Sequence, residues 1–409
     1  MLFELLVIFV IASFIAEALF EYLNSTRRTP RLPDELKEIY DEDRYAKSIE
    51  YEKVKQRYSL LRSFVGMTII LAMLFLGGFA LVDRISWTLS DTPVVTALVF
   101  FGIIMLASDI ISLPFDWYGT FVIEERFGFN RSTPKLFITD RIKGWLLGLL
   151  IGGGLLALVT WFYYLTTEWF WVWALILITL FMIFMNLFYS TLIVPLFNKQ
   201  TPLEPGELKE EISAMSNNTG FRLDDVFVID GSRRSTKANA YFAGLGRKKR
   251  IVLFDTLISD LKVKEIVAVL AHEIGHYKKR HIFAGMAVSA VTTAVTLYIL
   301  SVMLASPRLS VALGAVEPSF HMGLVAFGIL YSPVSAAFSV AGNWLSRRNE
   351  YEADRFAARY SSARNLADAL KKLTVKNLSN LRPHPLYVYV YYSHPPLLER
   401  LKALEEFRE

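Results

Sequence analysis

Seven long apolar segments constrain the fold of this chain more than any other feature. They cover residues 1–23, 64–82, 94–112, 145–167, 169–194, 283–305 and 321–342. About 20 helical residues span the roughly 30 Å hydrocarbon core of a bilayer. The 409-residue chain is 53% hydrophobic, with a mean hydropathy of +0.36. It is therefore predicted to be an α-helical polytopic membrane protein with seven transmembrane helices.

Two of these segments need a closer look. The first carries Glu4 and Glu17 and lacks a basic start, so we interpret it as a retained helix rather than a cleaved signal peptide. The fourth and fifth are separated only by residues 167–168 and are predicted to form a tight hairpin.

The distribution of Lys and Arg predicts the orientation of the chain. The stretches 24–63, 113–144 and 195–282 and the tail after 343 are rich in both, whereas 83–93 and 306–320 carry one Arg each. Positive loops stay in the cytosol. The N-terminus is therefore expected outside, and the C-terminus in the cytosol.

The spacing of the segments divides the chain into four parts. Residues 1–194 hold five transmembrane helices, 195–282 a cytosolic α+β insertion, 283–342 helices six and seven, and 343–409 a cytosolic C-terminal segment. Within the insertion, 205–220 is predicted to be a helix and 225–230 a strand. Residues 237–255 are predicted to form two strands around a basic, Gly-rich turn, and Asp260 to cap a following helix.

That helix contains the stretch HEIGH, residues 272–276. Positions i and i+4 share one helix face, so His272 and His276 can bind one metal ion. Glu273 lies about 100° around the helix, where it can accept a proton from water without being a ligand. Gly275 costs about 1 kcal/mol inside a helix, which indicates close approach of another element. The alternative is an ordinary helix with two polar histidines.

A catalytic zinc ion needs a third protein ligand and one open position. His281 lies five residues past His276 and is expected on the wrong face of the helix. Glu350 is the better choice, and Asp354, one turn later, can orient a ligand histidine. Glu352 is the rival ligand, although neighbouring arginines offer it ion-pair partners.

Two further stretches could contact a substrate. His394, before two prolines, and Arg400 could stabilise an oxyanion, but spacing alone favours a polar turn before a terminal helix. Residues 238–244 could be an exposed edge strand that pairs with an extended peptide, or an interior hairpin.

The basic run 246–250 is ordinary for a cytosolic loop, so no nucleic-acid partner is expected. The absence of Cys excludes thiol catalysis and Cys-ligated metals.

The chain strongly resembles the integral-membrane zinc proteases of the CAAX prenyl protease type, the Ste-type, a-factor-converting family. The resemblance rests on six blocks: 114–133, 194–212, 237–258, 269–277, 346–354 and 377–401. It implies seven helices around a water-filled chamber with a gluzincin-type zinc protease domain on the cytosolic side. The implied substrate is a prenylated or membrane-associated peptide at the lipid bilayer, from which the C-terminal aaX tripeptide of C-a-a-X is removed.

The resemblance also implies the roles of individual residues. One Zn²⁺ per chain is expected on His272, His276 and Glu350, with Glu273 as general base. Asp354 is expected to contact a ligand histidine from outside the metal site. Asn239 and Ala240 are expected in a strand that binds the substrate, and His394 and Arg400 are expected to be catalytic residues that contact the substrate.

Several alternatives remain open at this stage. A quality-control protease of the HtpX type, acting on substrates without a prenyl group, is the alternative enzyme, and a transporter with a structural HEIGH element is the non-enzymatic alternative. A bacterial inner membrane is the favoured location, or the endoplasmic reticulum in a eukaryote. The oligomeric state is left open, and a monomer is compatible with the sequence.

Overall fold

The computed structural model describes residues 1–37, 40–221, 225–243 and 250–407. The helices of the first half are α1 Leu2–Ser25, α2 Glu42–Phe75, α3 Gly78–Leu89, α4 Pro93–Tyr118, α5 Pro134–Leu147, α6 Gly153–Thr166, α7 Phe170–Phe188, α8 Val194–Phe197 and α9 Glu207–Asn218. Those of the second half are α10 Asp255–Asp260, α11 Val263–Lys278, α12 His281–Leu304, α13 Arg308–Ala312, α14 Phe320–Leu330, α15 Ser332–Tyr360, α16 Ala363–Lys376, α17 Pro385–Tyr391 and α18 Leu397–Glu405. The strands are β1 Gln200–Pro202, β2 Asp225–Ile229, β3 Ala240–Ala243 and β4 Arg250–Phe254.

Five helical runs in the described part of the chain are long and apolar enough to cross a membrane. They are Leu2–Ser25, Glu42–Phe75, Pro93–Glu124, Pro134–Phe197 and His281–Leu304. A sixth is present if α14 and α15, which meet at a bend of 57°, are counted as one span. The chain is therefore a multi-pass membrane protein, and the predicted total of seven spans is not established by these helices.

The run Pro134–Phe197 is 64 residues long and contains a hairpin. Thr167 has a φ of +44°, and the helices on either side of it pack together. The ring centroids of Phe162 and Trp173 are 6.2 Å apart, whereas 11 residues of a straight helix would separate them by about 16 Å. The turn predicted at residues 167–168 is therefore present.

The segment predicted at 64–82 is interrupted rather than continuous. Helix α2 ends at Phe75, and Gly77, with a φ of +67°, redirects the chain into α3. The left-handed region is open to Gly because it lacks a Cβ. A candidate span is present here within Glu42–Phe75, but the predicted end at residue 82 was wrong, because the helix ends at Phe75.

The strands form one four-stranded sheet in the order β1-β2-β4-β3. Strand β2 pairs in parallel with β4, and β3 pairs antiparallel with β4. Within the described residues β3 therefore lies at the edge of the sheet, as one of the two interpretations of 238–244 predicts. The strands predicted at 225–230 and within 237–255 are confirmed, whereas the turn at 244–249 lies outside the described residues.

Helix α11 is the centre of the larger hydrophobic core. Ile266, Leu270 and Ile274 on this helix are fully or almost fully buried. They pack within one cluster with apolar side chains of α9, β4, α15, α16 and α18. A second cluster joins the membrane helices. The HEIGH stretch is therefore held in the rigid centre of the non-membrane part.

The ends of α11 differ from the prediction. Asp260 does not cap this helix, because it ends α10 and pairs with Lys376. The N-terminus of α11 is instead stabilised by Glu265, whose carboxylate accepts a hydrogen bond from the backbone N–H of Lys262 at 2.8 Å. At the other end, Arg280 adopts a φ of +59° and α12 begins at His281. The chain thus turns sharply just after the HEIGH stretch.

Candidate metal centre

The centre is built where α11 crosses α15. Gly275 allows the two helices to touch: a Cβ at this position would lie 3.1 Å from the Ala353 Cα and the Phe356 Cβ. Such a distance is tighter than most Cβ contacts in proteins, so a side chain here would require α15 to move by a few tenths of an ångström. The close approach that Gly275 indicates in the sequence is therefore the contact that brings the acidic residues of α15 to the histidines of α11.

Three ligand-type side chains converge at this crossing. The Nε2 atoms of His272 and His276 are 3.2 Å apart. The two carboxylate oxygens of Glu350 lie 3.5 Å from the His272 Nε2 and 3.3 Å from the His276 Nε2. One ligand atom from each residue can be chosen so that all three lie within 4.8 Å of one another. The sequence prediction placed these same three residues together.

This group fits a divalent cation. Glu350 is only 3% exposed, and its Oε2 is buried without a hydrogen bond among the described residues, with the Arg400 Nη1 3.5 Å away. A buried carboxylate oxygen without a partner is costly unless a cation or a donor satisfies it. Two imidazoles and one carboxylate are a donor set that catalytic zinc sites use, with one position left for water or substrate.

Behind His272 lies a buried acid–base network. The Nδ1–H of His272 faces the Asp354 Oδ1 at 2.8 Å, and Arg400 donates to both oxygens of Asp354 at 2.8 and 2.6 Å. Burial favours a lower pKa for His272, but the hydrogen bonds with Asp354 and Glu350 outweigh it and raise the pKa to about 9. The carboxylates therefore favour positive charge at the position where a metal ion would bind.

Glu273 follows His272 on α11 and is half-buried at the same centre. Burial raises the pKa of its carboxyl group above the ordinary value, while the charges of His272 and His276 act in the opposite direction. A carboxylate with a raised pKa is a stronger proton acceptor. The structure thus places beside the ligands the residue predicted to be a general base.

His394 and Arg400 lie on opposite sides of Glu350. The His394 Nε2 is 3.3 Å from the Glu350 Oε1, its side chain is 64% exposed, and its Nδ1 is 2.9 Å from the Ser393 hydroxyl. Arg400 is buried and donates to Asp354. The structure therefore brings both predicted residues to the centre, His394 at its open side and Arg400 at its closed side.

One neighbour of the centre was missed in the sequence. His281 places its Nδ1 3.1 Å from the Nδ1 of His276, and its Nε2 is 3.4 Å from the Glu352 Oε2. The expectation that His281 lies on the wrong face assumed a continuous helix, and the turn at Arg280 ends it. Glu352, the rival ligand, contacts His281 instead of the ligand group. The tetrad YKKR between His276 and His281 gives no clear signal of this turn.

The edge strand β3 runs beside α11. The ring of Phe242 lies 5.5 Å from that of Tyr277 on α11, centroid to centroid. Asn239, just before the strand, is exposed and Ala240 is half-buried. A cavity of about 820 Å³ opens between this strand and the membrane helices. Its lining includes Asn239, Tyr241, Phe242, Met185 and Tyr189.

Two family models together match most of the chain. A model described as the CAAX prenyl protease N-terminal region with five membrane helices matches residues 21–199. The model of peptidase family M48 matches residues 202–408, a range that contains every residue of the centre. The chain belongs to peptidase family M48.

Relatives agree with this membership in the M48 family. The chain is 34% identical to CAAX prenyl protease 1 of Saccharomyces cerevisiae, over 97% of this chain and 92% of the relative. It is 35% identical to the CAAX prenyl protease 1 homolog of Arabidopsis thaliana, over 98% and 97%. The crystal structure of S. mikatae Ste24p superimposes with a TM-score of 0.93 at 34% identity, covering 99% of both chains.

As an M48 peptidase, the chain is a membrane metalloprotease of the CAAX prenyl protease group. The resemblance read from its six sequence blocks is thereby confirmed. The non-enzymatic interpretation, a transporter with a structural HEIGH element, is not supported by these matches.

Proposed function

We propose that this protein is a zinc-dependent membrane endopeptidase that removes the C-terminal aaX tripeptide from prenylated C-a-a-X chains. The observation that carries the proposal is the convergence of His272, His276 and the buried carboxylate of Glu350, whose oxygens lie within 3.5 Å of both imidazoles. The substrate class is supported by the names of the relatives, which are CAAX prenyl proteases.

The metal would be held by the two imidazoles and the Glu350 carboxylate, one ion per chain. When bound, a zinc ion lowers the pKa of water and polarises a carbonyl group. Asp354 fixes the His272 ring so that its Nε2 points to the centre, and Arg400 holds Asp354 in turn. Arg400 therefore acts as a positioning residue in this proposal, through Asp354, rather than by contact with the substrate.

Glu273 would accept the proton of the attacking water and deliver it to the leaving amine nitrogen. Its raised pKa and its place beside the ligands support this role. His394 would donate a hydrogen bond to the oxygen that becomes negative as the tetrahedral species forms. The exposure of its side chain and the 3.3 Å distance to Glu350 support contact with a bound substrate.

The substrate backbone would add to the sheet along β3. Asn239 and Ala240 stand at the start of this strand, whose outer edge is unpaired among the strands that the structure describes and offers N–H and C=O groups to an extended peptide. The cavity beside β3 faces the membrane helices and is lined mainly by aromatic and aliphatic side chains, with Asn186, Asn198, Arg234 and Asn239 as its polar members. A lipid-bearing cysteine next to the cleaved bond would have apolar surroundings there.

In the bilayer, we propose seven spans around a water-filled chamber, with the N-terminus outside and the C-terminus cytosolic. The hairpin within Pro134–Phe197 and the bent pair α14–α15 are compatible with that number. The Lys- and Arg-rich loops support a cytosolic centre. The named relatives come from a yeast and a plant, so the endoplasmic reticulum has more support than the bacterial membrane favoured by the sequence.

The deciding experiment compares the products from a farnesylated C-a-a-X peptide and the same peptide without the lipid. Mass spectrometry should show release of the intact tripeptide from the farnesylated peptide, and a chelator should abolish it. Equal cleavage of both peptides would instead indicate an HtpX-like activity, which no structural observation favours. No cleavage of either peptide by zinc-loaded protein would overturn the proposal.

A further inference from the structure

Each ligand histidine has a partner on the nitrogen that faces away from Glu350. In both rings the Nε2 faces the centre, and the Nδ1 faces outwards. For His272 the outer partner is the carboxylate of Asp354, at 2.8 Å. For His276 it is the ring of His281, with the two Nδ1 atoms 3.1 Å apart. The two ligands are thus supported by different chemical groups.

The contact at His276 continues outwards to a carboxylate. His281 is 8% exposed at its side chain, and its Nε2 lies 3.4 Å from Glu352 Oε2. Glu352 is 28% exposed and also has Arg348 at 3.6 Å. Ligation through Nε2 would leave the His276 proton on Nδ1, which can then donate to His281 Nδ1. His281 then carries its proton on Nε2, and this N–H donates to Glu352. One choice of tautomer for each of the two histidines therefore satisfies both hydrogen bonds.

The backbone is strained at Arg280, between the two histidines that are in contact. On a continuous helix, a residue five positions after His276 would lie about 140° around the axis. Instead, Arg280 adopts a φ of +59°, a left-handed conformation that is unfavourable for a residue with a Cβ. The turn lets α12 begin at His281 with its ring against His276. Strain of this kind persists where the surrounding structure requires it.

We propose that His281 and Glu352 form a relay that orients His276 and makes it a stronger metal ligand. The proposal rests on the proposed function, since it requires a metal ion at the Nε2 of His276. A ligand imidazole that donates its other N–H to an acceptor has a fixed ring plane and a more basic ligand nitrogen. Here the acceptor is a second imidazole, and the negative charge of Glu352 draws the proton of that imidazole outwards. Both are positioning residues, since neither is among the ligands.

The test measures metal binding rather than activity alone. The variants are His281→Ala, Glu352→Ala, Glu352→Gln and the double variant His281→Ala/Glu352→Ala, with the exposed Glu405→Gln as control. Zinc affinity is measured by competition with a chromophoric chelator. The visible spectrum of the Co²⁺-substituted protein reports the ligand field of the ion. The melting temperature of the metal-free protein checks folding. The two Glu352 variants are expected to fold normally, because the Glu352 side chain is 28% exposed.

The relay predicts a specific order of effects. His281→Ala should weaken zinc binding by about 10- to 100-fold and shift the Co²⁺ bands. Glu352→Ala should weaken it less, and Glu352→Gln least, because an amide oxygen still accepts the His281 proton. The double variant should bind zinc as His281→Ala does, because Glu352 acts only through His281.

Two results would overturn the relay while leaving the zinc site intact. One is a wild-type zinc affinity and Co²⁺ spectrum in both His281→Ala and Glu352→Ala. The other is an additive loss in the double variant. A wild-type protein that binds no zinc would overturn the relay and the proposed function together, so the two failures are distinguished by the wild-type measurement.

Discussion

Gly275 on α11 lies directly against Ala353 on α15, and a Cβ at position 275 would be 3.1 Å from the Ala353 Cα. This contact sets the distance between the helix that carries the histidines and the helix that carries Glu350. In this arrangement the Glu350 oxygens lie within 3.5 Å of both imidazoles.

Gly275→Ala is therefore expected to separate the two helices. We expect a loss of about 1–3 kcal/mol in stability from overpacking, together with weaker zinc binding, measured by thermal unfolding and metal competition. Gly285→Ala is the matched control, because a Cβ at Gly285 meets nothing within 4 Å. If the two variants melt and bind zinc alike, the contact does not control the centre.

Glu273→Gln is expected to remove cleavage without removing zinc. The amide keeps the size of the side chain but cannot accept the proton of the attacking water. Loss of a general base lowers the rate by about 10²- to 10⁴-fold, measured as kcat on the farnesylated peptide. Metal analysis should still find about one zinc per chain. Turnover at the wild-type rate would remove Glu273 from the mechanism.

Asp354→Asn is expected to weaken zinc binding about 10- to 100-fold. The variant loses the negative charge that holds both His272 and Arg400, so the His272 ring is less well oriented and the guanidinium keeps, among the described residues, only the Glu350 carboxylate as an ion-pair partner. The measurement is the zinc dissociation constant, with Asp368→Asn on α16 as control. Equal constants for the two variants would contradict the positioning role.

Removal of the metal is expected to lower thermal stability. A ligand at 1,000 times its Kd stabilises the folded state by about 4 kcal/mol, and this ion would join α11 to α15. A chelator should therefore lower the melting temperature of the wild-type protein. Glu350→Gln, which removes the charged ligand, should melt at one temperature with or without the chelator. A chelator-independent wild-type transition would count against a resident ion.

A reporter fused after the last helix tests the orientation. The Lys- and Arg-rich loops predict that the C-terminus lies in the cytosol. An alkaline phosphatase fusion should therefore be inactive, and a fluorescent protein fusion should be bright. The reverse pattern would place the centre on the other side of the membrane.

The sequence predicted most of the metal centre because its members are close in sequence or follow helical spacing. His272 and His276 are one turn apart, as are Glu350 and Asp354, and only the pairing of the two helices had to be inferred. Gly275 indicated close approach of another element, and the shared face of Glu350 and Asp354 indicated which helix supplies the third ligand.

The sequence could not predict features that depend on a change of chain direction. His281 was excluded because a continuous helix turns it away from His276, and the break comes at Arg280, a residue without the turn preference of Gly or Asn. The same limit applies to Gly77, where apolar composition continues through the junction of α2 and α3. At Gly77, however, the glycine itself is a helix-stop signal, whereas at Arg280 the residue type gives no such signal.

The position of β3 at the edge of its sheet also affects which proteins can be cleaved. A peptide can join such a border only if its own main chain is already stretched out and unpaired. Compactly folded neighbours in the same membrane do not present such a stretch. Selectivity would then depend first on whether the substrate has an extended, unpaired backbone segment, and only afterwards on its side chains.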